Sequence, residues 1–172
     1  MHEGRSDQSW GTARTKTVTW HDPISSAERG RTMSGLEHLR AVRDGVLPGA
    51  PIAALMGFSL QSVEQGDVVF TCTPDESAYN PIGMVHGGLM ATLLDSACGC
   101  AVQSTLPAGS VYSSLEIKVS FLRAVHAHSG LLTVHGWVPR PGRRAAFAEA
   151  DVRTPDGKLV ATASSTCLVM DA

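Results

Sequence analysis

The stretch "NPIGMVHGGLMATLLDSACGCAV", residues 80–102, decides how the rest of the chain is read. It opens on turn formers, passes His86-Gly87-Gly88, and continues as apolar and small residues until "LPAGS". The pattern predicts one helix from about Gly87 to Leu106. Being apolar nearly all round, that helix should be buried nearly all round. Gly88, Ala91, Ala97, Gly99 and Ala101 would let its backbone approach a sheet closely. Asp95 is the only charged side chain in the stretch.

Strand patterns lie on both sides. After the helix, Leu115, Ile117, Val119 and Phe121 alternate with Ser114, Glu116, Lys118 and Ser120, the clearest strand in the chain. "LLTVHGWV" reads as the next strand, "PRPGR" as a turn and "AAFAEADVR" as another strand. The Asp-Gly turn in "TPDGK" leads into "LVATASSTCLVM". Ala146, Ala148, Ala150, Ala161, Ala163 and Ser165 make one face shallow enough for a helix to lie against. Before the helix, Phe58–Val63 and Val68–Cys72 form a hairpin pattern around "EQGD". The architecture expected from pattern is α+β, a curved antiparallel sheet wrapped around one long central helix.

Toward the N-terminus, residues 1–33 lack sustained periodicity and read as a flexible arm. Residues 34–56 read as a helical segment. In it, Ser34 is an N-cap, Gly45 a stop, and Leu36, Leu39 and Val42 one apolar stripe, followed by the short "IAALMG". Residues 57–172 form the main domain.

Composition narrows the function classes. The chain has 172 residues, enough for one self-sufficient core. A net charge of -2 with 17% charged residues gives no basis for wrapping nucleic acid or coating an anionic membrane. The four cysteines, Cys72, Cys98, Cys100 and Cys167, form no CxxC pair and suit reduced, buried roles. "MHEGRSDQSWGTARTK" lacks the apolar core of a signal peptide, so a cytoplasmic protein is expected.

Asp95 admits two readings. It could lie on an exposed sliver of the helix, or be neutralised by a partner, and be purely structural. Yet Leu93, Leu94, Ala97 and Cys98 flank it, with no Lys or Arg within a turn. A buried, unpaired carboxylate is a candidate for acid–base or nucleophilic work. At the start of the same helix, unsatisfied backbone N–H groups and two glycines could hold a developing oxyanion. Nine residues separate His86 from Asp95, roughly 13.5 Å of rise and about 180° of rotation. Both groups can therefore act on one bond only if two chains supply them, which a two-fold dimer would do twice.

Asn80-(five residues)-His86-Gly87-Gly88-(six residues)-Asp95, followed by "SSLEIKVSFLRAV" and "GRRAAFAEADV…DGKLVATASSTCLV", resembles the hotdog-fold acyl-CoA thioesterases. The nearest branch is the phenylacetate-pathway (PaaI-type) and 4-hydroxybenzoyl-CoA thioesterase group, over residues 57–170. The resemblance implies a hotdog domain at 57–172 and homo-oligomers, dimers or dimers of dimers. It implies hydrolysis of an acyl-CoA to free acid and CoA at a site shared by two subunits.

By position, Asp95 would be general base or nucleophile and the Gly87 amide the oxyanion hole. His86 would orient that loop, and Asn80 would hold the thioester or the water. Ser114 would orient the water; strict alternation turns it away from the Leu115 face unless the strand begins with a bulge, and Ser113 is the alternative. Gly88, Leu89 and Met90 are expected to contact substrate, with Leu93, Met56 and Phe58 as further candidates for the acyl pocket. Arg123, Arg143 and Arg144 could meet CoA phosphates or simply be solvated.

No metal and no cofactor beyond the substrate's own CoA is expected. His126, His128 and His135 are read as ordinary polar residues. Two alternatives keep the fold: a non-catalytic acyl-CoA-binding sensor, and an enoyl-thioester hydratase or dehydratase.

Overall fold

The computed structural model describes residues 11–171. Four helices, α1 (Pro23–Gly30), α2 (Gly35–Arg43), α3 (Pro51–Met56) and α4 (Gly87–Gln103), accompany six strands. These are β1 (Phe58–Glu64), β2 (Asp67–Cys72), β3 (Ser110–Phe121), β4 (Leu132–Arg140), β5 (Ala145–Arg153) and β6 (Leu159–Asp171). All pair antiparallel in one sheet of order β1-β2-β4-β5-β6-β3, with α4 packed along its concave face. This is the hotdog arrangement expected above.

The small-residue face does what its chemistry suggests. Ala146, Ala148, Ala150, Ala161, Ala163 and Ser165 are all buried, as are Leu93, Leu94, Ala97, Cys98, Ala101 and Val102 on α4. At Gly136 on β4 the approach is tighter still: a Cβ there would lie 2.4 Å from the Ala97 carbonyl oxygen. Sheet backbone and helix backbone touch at this point, with no room for a side chain between them.

Two expectations need correction. α4 is not covered all round: Gly88 and Asp95 are exposed, and Ala91, Thr92 and Ser96 are half-buried. The sheet packs on α4 through β2, β3, β4, β5 and β6, and the stripe of α4 turned away from these strands is open. The run Leu115–Phe121 does not present one inward face either. The β3–β6 register shifts between Ser114 and Glu116, so that Leu115 is an extra residue at a bulge and is 61% exposed. Only Ile117 and Val119 pack against the core, while Phe121 lies outside it.

The segment before β1 is more organised than its composition suggested. α2 begins as expected, with a capping box in which the Glu37 N–H donates to Ser34 Oγ and Ser34 N–H donates to Glu37 Oε2. The stretch read as a loose arm contains α1, with Pro23 at its first turn and the Asp22 side chain accepting from the Ile24 N–H. Asp22-Pro23 was the signal for it. Residues 1–10 of that arm lie outside the described residues.

The segment docks on β1 and on the C-terminal end of α4. Gly35 N–H donates to the Leu106 carbonyl at 3.0 Å, and a Cβ on Gly35 would fall 1.6 Å from the Gln103 carbonyl oxygen. Gly109 N–H donates to Arg31 O at 3.2 Å. Residues 31–35 are therefore fastened to the C-terminal end of α4.

Candidate active site

His86 is the N-cap of α4. Its extended backbone (φ -66°, ψ 137°) lets Nδ1 accept the Gly88 N–H at 2.8 Å, and its carbonyl accepts the Leu89 N–H. A ring that accepts at Nδ1 carries the proton of its neutral form on Nε2. Gly88 has a steric role here, because a Cβ would sit 2.8 Å from that Nδ1 and displace the cap. Gly87 is closed off on its side-chain face by Phe121, whose ring would be 3.1 Å from a Cβ. The Gly88 and Leu89 amides are thus occupied. Among the described residues no acceptor takes the Gly87 N–H, which sits at the positive end of the helix dipole.

Asp95 stands two turns further along, on the open stripe. In the single chain it is exposed, contrary to the buried carboxylate expected from its neighbours. Leu93, Leu94, Ala97 and Cys98 are buried toward the sheet, while Asp95 lies on the open stripe. Asp95 is nonetheless held: Ser114 Oγ donates to its Oδ1 at 3.0 Å. The β3 bulge makes this possible. Before Leu115 the strand is in one phase and after it in the other, so Ser114 faces α4 although Ile117 does too. Ser113, the alternative, makes no side-chain contact with Asp95.

Asn80 is committed to its own loop. Its Oδ1 accepts from the Ile82 and Met84 amides, both at 3.1 Å, and its backbone N–H donates to Met84 O at 2.7 Å. The carboxamide oxygen therefore shapes the turn that leads into His86, whose N–H donates to Ala78 O. Only the amide nitrogen of Asn80 remains to meet a ligand.

The remaining candidates divide. Leu89, Met90 and Leu93 belong to the core of their own chain and do not line open space. Phe58 is buried and Met56 half-buried near the start of β1. Arg143 and Arg144 lie at the β4–β5 turn and Arg123 just after β3; all three are exposed, and none pairs with a carboxylate among the described residues. His126 and His128 stack at a short 3-10 turn, with ring centroids 5.1 Å apart, and His135 on β4 pairs with Asp67 at 2.8 Å.

Several residues beside the site were missed in the sequence. Phe121 reads there only as one of the alternating apolar residues of its strand. Tyr112 shares the phase of Ser114 two residues earlier, Ser96 follows Asp95 on the helix, and Cys100 lies one turn beyond Ser96. Period-two counting back from Ser114 would have found Tyr112. Ser96 and Cys100 lie about 100° and 140° round the helix from Asp95 and are not reached by counting turns from it.

The capped helix start and the Ser-held carboxylate lie on one central helix packed by a six-stranded antiparallel sheet. The class this defines is a hotdog hydrolase. The family model described as Thioesterase superfamily matches residues 82–161, the segment that carries both halves of the site. An esterase candidate of Halobacterium salinarum is 32% identical over 109 residues, covering 60% of this chain and 70% of the relative. Human acyl-coenzyme A thioesterase 13 is 29% identical over 110 residues, 63% of this chain and 76% of that one. The solved structure of a phenylacetic acid degradation-related protein from Ralstonia eutropha aligns with a TM-score of 0.69 and 31% identity. It covers 76% of this chain and 98% of its own.

The chain belongs to the thioesterase superfamily, on its PaaI-type branch, and is a thioesterase. None of the described helices is long and apolar enough to cross a membrane.

Ser114→Ala tests the grip on the carboxylate. Removing one hydrogen bond to a charged acceptor is expected to lower kcat about tenfold, with KM nearly unchanged. Steady-state thiol release would measure both.

Proposed function

We propose that the chain hydrolyses acyl-CoA thioesters at a site built by two subunits, with the Gly87 amide of one and Asp95 of the other. The observation that carries this is the placement of the two groups on one unbroken helix. α4 runs from Gly87 to Gln103 without a kink. The free amide and the carboxylate are therefore held about 12 Å apart within a chain. One thioester carbon cannot meet both unless a second copy is turned against the first.

The surface supports such pairing. β3 is an edge strand paired to β6 alone among the described strands, and the open stripe of α4 lies beside it. Leu115 and Leu122 expose 61% and 54% of their surfaces along the same border. The name of human acyl-coenzyme A thioesterase 13 supports CoA as the thiol half of the substrate. Exposed Arg123, Arg143 and Arg144 are available for its phosphates.

Chemically, Asp95 acts as general base. Ser114 occupies Oδ1, so Oδ2 is left to take a proton from water as its oxygen attacks the thioester carbon. The carbonyl oxygen becomes an oxyanion, stabilised by the Gly87 N–H and the helix dipole. Collapse breaks the C–S bond. The CoA thiolate recovers the proton from Asp95, giving carboxylic acid and free thiol. The His86 cap keeps the Gly88 amide occupied, which leaves the Gly87 N–H as the donor aimed outward.

Subunit mixing tests the shared site. An Asp95→Asn chain and a Gly87→Val chain should each be inactive as homo-oligomers. Co-refolded in equal amounts, they should regain about a quarter of wild-type activity, because half the dimers are hybrids with one intact site. If each site lies within one chain, the mixture stays dead.

A further inference from the structure

Between the N-terminal segment and the body of the fold lies a cavity of about 750 Å³, within the range of small-molecule sites. Its floor is α4 at Ser96, Cys100 and Gln103, together with the first residues of β3, Ser110 to Tyr112. Phe58, Leu60 and Phe70 form one wall, and α1, α2 and α3 form the roof. No residue so far assigned to the reaction lines it.

Two elements lead from the catalytic pair into this space. On α4, Ser96 follows Asp95, and Cys100 comes one turn later on the same side. On β3, Tyr112 precedes Ser114 by two residues and so shares its face. The neighbours of the Asp95–Ser114 pair, Ser96 on α4 and Tyr112 on β3, thus line the cavity next to it. From Ser96 to Gln103 the floor extends roughly 10 Å along the helix axis. That suits an extended alkyl chain and exceeds what a single aromatic ring fills.

Phe58, Leu60, Phe70 and Val111 give the body side its apolar part, between Ser96, Gln103 and Ser110, and the charged groups lie at the roof, where His21, Asp22, Arg31 and Arg43 are exposed. Cys100 is half-accessible by surface, yet desolvation pushes its thiol up to about 12. Desolvation likewise raises the Tyr112 hydroxyl well above its usual value.

We propose that this cavity receives the acyl chain of the substrate, running from Asp95 past Ser96 and Cys100 under the N-terminal segment. The enzyme therefore prefers long aliphatic acyl thioesters to short ones. The proposal rests on Asp95 as the reacting group. It assigns residues 19–56 the role of roof to the acyl site, fastened through Gly35 and Arg31 to the end of α4.

Non-hydrolysable S-butyl and S-dodecyl thioethers of CoA, titrated calorimetrically, test it without requiring turnover. Wild-type protein should bind the dodecyl compound at least about tenfold more tightly than the butyl one, from burial of the extra methylenes. That ratio should fall to near one in Ala53→Phe and in Cys100→Phe, which fill the cavity from opposite walls. Retained butyl-thioether binding shows that each variant is folded.

In parallel, kcat/KM for dodecanoyl-CoA should drop at least about tenfold in both variants while butyryl-CoA stays within about twofold. A ratio near one in wild type, or an unchanged ratio in both variants, overturns the proposal. If wild-type protein hydrolyses neither ester but keeps the thioether ratio, the hydrolytic reading fails and the cavity assignment stands.

Discussion

Asp95→Asn is expected to lower kcat by about a thousandfold, within the range supplied by a positioned general base. The amide keeps the shape of the carboxylate and can still accept from Ser114 Oγ, so the helix and bulge should be undisturbed. It cannot take the proton of the attacking water. Because Asp95 is exposed in the single chain, its loss should change Tm by no more than a degree or two. KM should hold, because the interaction removed belongs to the transition state. Thiol release with a good acyl-CoA substrate, beside a thermal melt, gives both numbers. A variant retaining a tenth of wild-type turnover would remove Asp95 from the mechanism.

The second large effect is on stability. Gly136→Val places its Cβ where the Ala97 carbonyl oxygen already lies, 2.4 Å away, with the Ala97 Cβ at 2.9 Å. Neither neighbour can yield. The carbonyl belongs to the middle of α4, and Gly136 is pinned by pairing to Val68 on one side and Ala150 on the other. Overpacking against backbone is expected to cost about 3 kcal/mol or more and to lower Tm by roughly 10 °C. A melting temperature equal to wild type would mean that helix and sheet do not meet at this point.

Much of the fold could be read from side-chain periods. The apolar run at 87–103 had to be a buried helix, and the alternating small residues at 146–150 and 161–165 had to face something close. Gly136 completes that surface, but a glycine inside a strand pattern carries no label saying which neighbour it makes room for. The bulge at Leu115 was legible only as a condition: Ser114 could reach Asp95 if the strand changed phase, and it does. A single inserted residue leaves no mark in a strand whose two faces are both mixed, as Ser113, Ser114 and Leu115 are.

The exposure of Asp95 was misread for a related reason. Flanking residues at positions 93, 94, 97 and 98 report on the faces beside it, and none reports on the stripe it occupies. That stripe is set by where the sheet stops, a long-range property. Of the segment over the cavity, the 34–56 helices were legible, but α1 was missed because it buries only Gly30.

The border strand β3 has a consequence for solubility. Along its outer side, about every second residue of this 12-residue strand presents an amide and a carbonyl to which no described strand is paired. Such a row is a template for any extended chain, and indefinite stacking is the usual hazard. Lys118, exposed near the middle of the rim, brings identical charges together when copies meet in parallel register, whereas a two-fold antiparallel meeting can offset them. The same lysine would steer this protein toward a closed pair and away from a fibre.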